Sequence, residues 1–316
     1  MLALTIFRAL ADPTRIRILM LVRRMELAVG ELADVLGQSQ PRVSRHVRIL
    51  ADAGLVHRAK EGAWVFVRLG DATATAPALA GLDTWDRGEA AADSERLVAV
   101  RAERDASATA YFAAQAANWD RLRSLHVAEC EVEAAIVAAL GRRPLGHLLD
   151  IGTGTGRMIE LLGQRASTAT GIDRSPEMLR LARGKLEAAG LPHAQVRHGD
   201  MFALPQGDAS ADTVVLHQVL HFADAPREAI AEAARVLAPG GRLLVADFAP
   251  HDREELRARH AHIRLGFDGA QVCGWMAAAG LDARVVKELP ATDIDHSLTV
   301  TLWLGERPPL QQRVAA

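Results

Sequence analysis

Three kinds of residue in this chain are spaced for chemistry: a glycine loop, carboxylates that close apolar runs, and a group of histidines. Leu148-Leu149-Asp150-Ile151 reads as a short buried strand, and Gly152-Thr153-Gly154-Thr155-Gly156 follows it directly. Glycines at such a place let the backbone approach a ligand closely. Dinucleotide enzymes also use a glycine loop, so the spacing decides. Here it is G-x-G-x-G, and the third glycine of a dinucleotide fingerprint would fall on Arg157. A second strand ends in Gly171-Ile172-Asp173, whose carboxylate can accept both hydroxyls of a ribose. Arg197-His198-Gly199-Asp200-Met201 ends a third with another carboxylate, a fit acceptor for an adenine amino group. His217, His221, His251, His260 and His262 lie in or after later strand ends. An imidazole titrates near neutrality, so each is a candidate base for a nucleophile that must lose a proton, with His217 the first choice. His260-Ala261-His262 has a ligand-like spacing, but no cysteine or carboxylate cluster accompanies it, and no metal site is expected.

The elements that must position these groups follow from periodicity. From residue 145 onward apolar strands alternate with helices, the pattern of a parallel sheet covered on both faces, and a strand pair over 283–289 and 297–304 closes it. Ser175-Pro176-Glu177 supplies a cap, a first-turn proline and a first-turn acid for one of the helices. Apolar spacing predicts a helix over 94–126. Residues 71–93, rich in Ala, Asp, Gly and Thr, read as a linker or a loosely packed helical connection. The 316 residues suit two domains, expected at 1–70 and 111–316 with 71–110 between them.

Residues 1–70 carry eleven Arg/Lys against six Asp/Glu, a net of +5, which leaves −7 for the rest of a chain of net charge −2. A basic head on an acidic body suits a polyanionic partner for the head. Asp12-Pro13-Thr14 opens a helix that presents Ile16, Leu19, Met20 and Arg23 at helical spacing. A second helix runs over 29–36 and is closed by Gly37, and a short turn leads to a third that starts at Pro41 and ends at Gly54. Val43, Val47 and Leu50 face inward on that third helix, leaving Arg42, Ser44, Arg45, His46 and Arg48 outward. Residues 55–59 and 63–69 alternate as a hairpin around Lys60-Glu61-Gly62. A tight turn between two helices, with guanidiniums and hydroxyls on the second, is the geometry that enters a major groove.

On the runs FRALADPTRIRILMLV, ELADVLGQSQPRVSRHVRILADAGLV and HRAKEGAWVFVRL, the first 70 residues or so resemble the ArsR family of winged-helix repressors. The resemblance implies a dimer on double-stranded operator DNA, with Gln38, Ser39, Gln40, Arg42, Ser44, Arg45 and His46 facing the groove and Arg58 and Lys60 near phosphates. The first helix, residues 2–10, is the implied dimer interface. Metal-sensing members carry a cysteine pair where this chain has Ala28 and Gly30, so soft-metal sensing is not expected. From Tyr111 to Leu304 the ordered motifs, together with Pro239-Gly240-Gly241 before a strand, resemble the class I S-adenosylmethionine (SAM) methyltransferases. That implies an α/β, Rossmann-like seven-stranded sheet of order 3-2-1-4-5-7-6. By position the loop of Gly152, Thr153, Gly154 and Gly156, with Asp150, would meet the methionine moiety. Asp173 with Arg174 would meet the ribose, Asp200 with Met201 the adenine, and His217 would line the methyl-transfer mouth. Trp119, in Asn118-Trp119-Asp120, matches a lid helix whose aromatic covers the amino-acid end of the cofactor.

Two functions follow. The first is a DNA-binding transcriptional regulator that senses SAM or S-adenosylhomocysteine (SAH). The alternative is an active small-molecule methyltransferase with an autoregulatory or dimerising DNA-binding module. Only Cys130 and Cys273 are present, which speaks against a disulfide framework and against arsenic as the methyl acceptor. The quartet that DNA methyltransferases place after the fourth strand is replaced by Leu216-His217-Gln218-Val219. No apolar run reaches the length of a membrane span and the start lacks a signal-peptide order, so a cytoplasmic homodimer that avoids membranes is expected.

Overall fold

A computed structural model of the chain describes residues 2–61, 63–85, 90–119, 129–291 and 298–309. Its contacts divide the chain into two compact units, Met1–Ser107 and Ala108–Ala316.

In the first unit, helices α1 (Leu2–Leu10), α2 (Pro13–Val22), α3 (Val29–Leu36) and α4 (Gln40–Asp52) are followed by a hairpin of β2 (Val56–Glu61) and β3 (Trp64–Leu69). A two-residue strand, β1 (Leu27–Ala28), adds to the far side of β3, giving the order β1-β3-β2. Asp12 caps α2 by accepting from the Arg15 amide at 3.2 Å, and Pro13 occupies the first turn. The buried face of α2 is Ile18, Leu19, Leu21 and Val22, wider than the expected stripe; Ile16 and Met20 sit at its margin and Arg23 is exposed. The reason is that α2 is packed by α1, α3, α4 and β3 at once. Along α4, Val43, Val47 and Leu50 are fully buried. The hairpin is longer than the spacing suggests: Lys60 and Glu61 pair with Val65 and Trp64 instead of forming the turn. The stretch read as a linker or a loosely packed helical connection is helical: it holds α5 (Ala72–Trp85), and α6 (Ala90–Gln115) follows. The helix expected over 94–126 is interrupted by a 3-10 turn at Ala116–Asn118, and its residues 120–126 lie outside those described.

Within this unit Asp93 of α6 is buried between two guanidiniums. Arg17 donates to it from Nε and Nη2 at 2.7 Å each, and Arg96 from Nη2 at 2.6 Å. Burial alone would raise the carboxyl, but the bonds from Arg17 and Arg96 outweigh it and hold Asp93 below the usual carboxylate range.

The second unit takes in the end of α6, and its next described α-helix is α7 (Glu129–Leu140). Its strands are β4 (Gly146–Ile151), β5 (Ala166–Asp173), β6 (Ala194–His198), β7 (Ala211–His217), β8 (Leu237–Phe248), β9 (Asp282–Leu289) and β10 (Val300–Glu306). They form one sheet of order β6-β5-β4-β7-β8-β10-β9, which is 3-2-1-4-5-7-6 when the strands are counted from β4. The first five are mutually parallel and β10 is antiparallel to both its neighbours. Separate apolar clusters pack on the two faces of the sheet, one around Leu148, Val215 and Leu244 and the other around Leu149, Val214 and Leu243. Register places Asp173, Gly152 and His217 just past the row Ile172, Ile151, Leu216 and Val245, at the carboxyl edge. Functional side chains of open parallel sheets gather at this edge.

Replacing Asp93 with Ala removes its three charged bonds to Arg17 and Arg96 and lowers the unfolding free energy of the first unit by about 2–3 kcal/mol. The carboxyl is depressed in the folded state, so its contribution is complete above the unfolded value near pH 4 and fades as pH falls through the lower folded value. Urea unfolding of wild type and variant at neutral and acid pH checks this: the gap should close in acid.

Candidate functional site

The carboxyl edge of the second unit is organised by carboxylates that accept from the turns beyond the strands. Asp150, buried at the end of β4, accepts from the Thr153 hydroxyl at 2.5 Å. Asp173, at the end of β5, accepts from the Gly154 amide and the Ser175 amide at 2.8 Å each. The Gly152 and Thr153 amides both donate to the Ile172 carbonyl. The loop is thus stitched to two strands, and it can trace this path because Gly152 and Gly154 take φ values of 72° and 53°. A Cβ on Gly152 would also collide with Val219 Cγ2, whereas one on Gly154 would meet the Trp119 Nε1 at an ordinary 3.5 Å. Arg157, immediately after the loop, grips Glu133 of α7 through two bonds of 2.6 and 2.7 Å and Glu160 through a third. The helix that the loop opens, α8 (Arg157–Leu162), is anchored there.

Burial pushes the Asp173 carboxyl up against the opposing amide bonds. Arg174 is exposed, 4.0 Å from Asp200, and Asp200 accepts from the Phe202 amide at 3.0 Å. The Gly199 amide donates to the Asp173 carbonyl and brings Asp200 and Met201 beside the end of β5. His217 closes β7 and is buried. Gln218 follows it at φ 50°, a left-handed backbone rarely adopted by a residue with a side chain. Its side chain is 6% exposed, and among the described residues its Nε2 has no hydrogen-bond partner. A buried amide donor left over at the edge of a glycine loop fits a ligand with acceptor groups.

Trp119 lies against the loop at Gly154 and joins a cluster of aromatic rings. Trp119 lies 6.1 Å from Phe222 and 5.4 Å from Phe112 between ring centroids, and Phe112 lies 4.9 Å from Phe222. Tyr111 shares a 3.0 Å hydrogen bond with His260 Nδ1. Burial, with His221 and the guanidiniums of Arg253 and Arg257, pushes His251 down to about 4, so it is neutral at physiological pH. Spacing did not single out one pair: His221 Nδ1 lies 2.7 Å from Asp247 Oδ1, both side chains buried. An acid at the end of an apolar run, followed by a histidine-rich segment, was the only signal for it in the sequence. No group of three or more metal-ligating side chains capable of holding an ion occurs among the described residues.

In the first unit, Ser39, Gln40, Arg42, Arg45 and Arg48 are exposed on or just before α4, the three arginines at every third position, and Ser44 is half-buried. Arg58 and Lys60 are exposed on β2. Two expected groove residues turn inward instead. Gln38 donates to the Thr14 hydroxyl at 3.1 Å. The His46 side chain is 12% exposed with Nδ1 3.7 Å from Asp12. Burial pushes His46 down, with Arg15, Arg42 and Arg45 adding to it against the pull of Asp12.

Comparison with known proteins agrees with both units. Residues 12–58 match the arsR family of bacterial regulatory proteins, and residues 149–245 match a methyltransferase domain. A demethylmenaquinone methyltransferase of Thermus thermophilus is 42% identical over 119 residues, 37% of this chain and 53% of the relative. An uncharacterized 37.1 kDa protein in a transposon of Streptomyces fradiae is 38% identical over 118 residues, 36% of this chain and 34% of the relative. These matches span about a third to a half of each relative. The fold is shared with a solved complex between the Haloferax volcanii Trm112 methyltransferase activator and a putative methyltransferase: TM-score 0.51, 24% identity, 62% of this chain and 97% of that one.

Gly154→Ala adds only left-handed strain and is expected to cost about 1 kcal/mol of the second unit's stability. Gly152→Ala adds a collision as well and should cost at least about 2 kcal/mol. Val219→Ala in the Gly152→Ala background removes the colliding methyl groups and should recover part of the loss, read from denaturant midpoints of the full chain.

Proposed function

From a chain that joins an ArsR-family helix-turn-helix to a methyltransferase domain whose cofactor is SAM, we propose a transcriptional regulator that reads the SAM or SAH occupancy of its second unit. The DNA-binding half of the reading rests on the exposed row of Arg42, Arg45 and Arg48. Guanidinium forks at that spacing along one helix can meet guanine edges or phosphates, and Arg58 and Lys60 on the hairpin add phosphate contacts. Exposed Leu4 and Phe7 on α1 offer an apolar surface for a second copy, as a two-fold operator would require.

One observation carries the sensing half. Trp119 follows α6 by a single short turn, and its indole lies against the glycine loop at Gly154. A ligand seated in the loop must meet this ring, and the ring belongs to the segment that runs on from the DNA-binding unit. Such a ligand changes DNA affinity only if it binds the DNA-competent and incompetent states unequally.

The residues at the edge suit the cofactor. Asp173 would take the ribose hydroxyls, Asp200 and Met201 the adenine, and Asp150, Thr153 and the loop amides the methionine end, with Gln218 Nε2 as a further donor. When bound, SAM supplies an electrophilic methyl group on a sulfonium. The chain's own part is to hold the adenosyl portion, exclude water with the Trp119, Phe112 and Phe222 rings, and align an acceptor. A second reading, turnover of a small-molecule acceptor with the DNA-binding unit serving autoregulation, is favoured by the buried His221–Asp247 pair.

Fluorescence anisotropy on a duplex selected from random sequence tests the regulator. Saturating SAH or SAM should shift DNA affinity by about tenfold or more, within the usual range of coupling between sites. An unchanged affinity defeats the sensor reading. Arg42→Ala with Arg45→Ala should abolish binding to the selected duplex and leave SAH affinity within about twofold, and Asp173→Ala should do the reverse.

A further inference from the structure

His221 and Asp247 are more tightly built than a packed turn requires. Asp247 Oδ2 accepts from the Leu220 amide at 2.9 Å and the His221 amide at 3.3 Å, and Oδ1 accepts from the Phe248 amide at 2.8 Å. The bonds from Leu220 and His221 already pin the turn after β7 to the end of β8. The His221 side chain adds nothing to that pinning except its own orientation. Because a carboxylate only accepts, Nδ1 carries the proton and donates it at 2.7 Å, which leaves the ring lone pair on Nε2. Phe222 at 4.0 Å, His262 at 4.2 Å and Phe248 at 4.9 Å fix the ring plane. The His221 carbonyl is held by the Ile263 and Arg264 amides. Among the described residues, Nε2 has no hydrogen-bond partner. An immobilised acceptor with half its capacity unused, inside a protein, points to a group that arrives with a proton.

The location fits that purpose. His221 follows β7 at the same carboxyl edge as the glycine loop, and Phe222 beside it reaches Trp119, which lies against Gly154. Beside the imidazole the Phe112 ring packs edge to face on the rings of Trp119 and Phe222, and such a cluster of aromatic faces and edges suits an aromatic ligand.

We propose that His221 is the general base for methyl transfer to an aromatic hydroxyl, a phenol or hydroquinone, with Asp247 as its positioning residue. This rests on the adenosyl-binding reading of the same unit and names its acceptor class. A phenol ionises only near pH 10, so transfer at neutral pH needs a base at the oxygen, which a thiolate or a neutral amine does not. In the step, the hydroxyl proton passes to His221 Nε2 while the oxygen bonds to the methyl carbon. The carbon–sulfur bond breaks with its electron pair on sulfur. The products are an aryl methyl ether, a neutral thioether and an imidazolium held by Asp247, and the imidazolium returns its proton to water. The role of base thereby passes from His217 to His221, the histidine with a carboxylate on its far nitrogen.

His221→Asn is the variant of choice, because its amide can still donate to Asp247 and preserve the turn. Three readouts on the full chain are combined. Nitrogen-15 NMR of the ligand-free protein should show His221 as the Nδ1-protonated tautomer, and an Nε2-protonated ring overturns the proposal. Calorimetry should give SAH affinities within about twofold for wild type and variant. With SAM and a panel of phenols, hydroquinones and naphthols, wild type should form aryl methyl ethers. His221→Asn should lower kcat by about 10²-fold or more for weakly acidic phenols and far less for a nitrophenol that is already ionised. Equal losses for both acceptors, or none, overturn the proposal. SAH binding without transfer to any hydroxyl overturns it alone, whereas no SAH binding by wild type overturns the adenosyl-binding reading as well.

Discussion

Parallel strands that end at a common edge leave the turns beyond them without ladder partners, and in the second unit strand-end carboxylates meet that need. Asp150, Asp173 and Asp247 close or nearly close β4, β5 and β8, and each accepts from a loop that the ladder does not reach. Buried amides without acceptors would cost more than the bonds gain, so these aspartates fix where the turns lie. The same three side chains bring charge and acceptor capacity to the edge proposed to hold the cofactor. Scaffold and site are one set of bonds. Asp173 shows the economy most clearly, since it holds the Gly154 amide that shapes the loop and is the group that would receive a ribose.

The first unit works on a different principle. Its basic row on α4 exists because Val43, Val47 and Leu50 take the inner face, and the remaining positions bring arginines outward at every third residue. The proposed coupling between the two units uses the segment that runs from one to the other, α6 and the turn to Trp119. A regulator that sensed its ligand through a cysteine pair would need no such segment, and Ala28 and Gly30 stand where that pair would be.

Much of this was legible in the sequence, for local reasons. The cap at Asp12, the inward stripe of α4, the G-x-G-x-G loop and the acids that end β4 and β5 are all set by neighbours within a few residues. The strand order came from family resemblance, because spacing cannot rank parallel strands. What escaped was set by packing between distant segments. Gln38 and His46 look like groove residues until the start of α2 draws them inward, Gln38 onto the Thr14 hydroxyl and His46 to within 3.7 Å of Asp12. The 71–93 stretch, poor in large apolar residues, gave no strong period, so its composition left linker and helix both open, and α5 settles it as helix. His221 and Asp247 stand 26 residues apart on different elements, and only adjacency of β7 and β8 in the sheet brings them together.

The central claim is that the carboxyl edge of the second unit is an adenosyl-binding site built on its strand-end aspartates. Amide hydrogen exchange of the full chain with and without SAH tests it most directly, since exchange reports local opening wherever a ligand closes the structure. Slower exchange over 152–156, 173–175 and 218–222, with no comparable change in α2 or α3, is the predicted result. Unaltered exchange across those three segments at saturating SAH would contradict it.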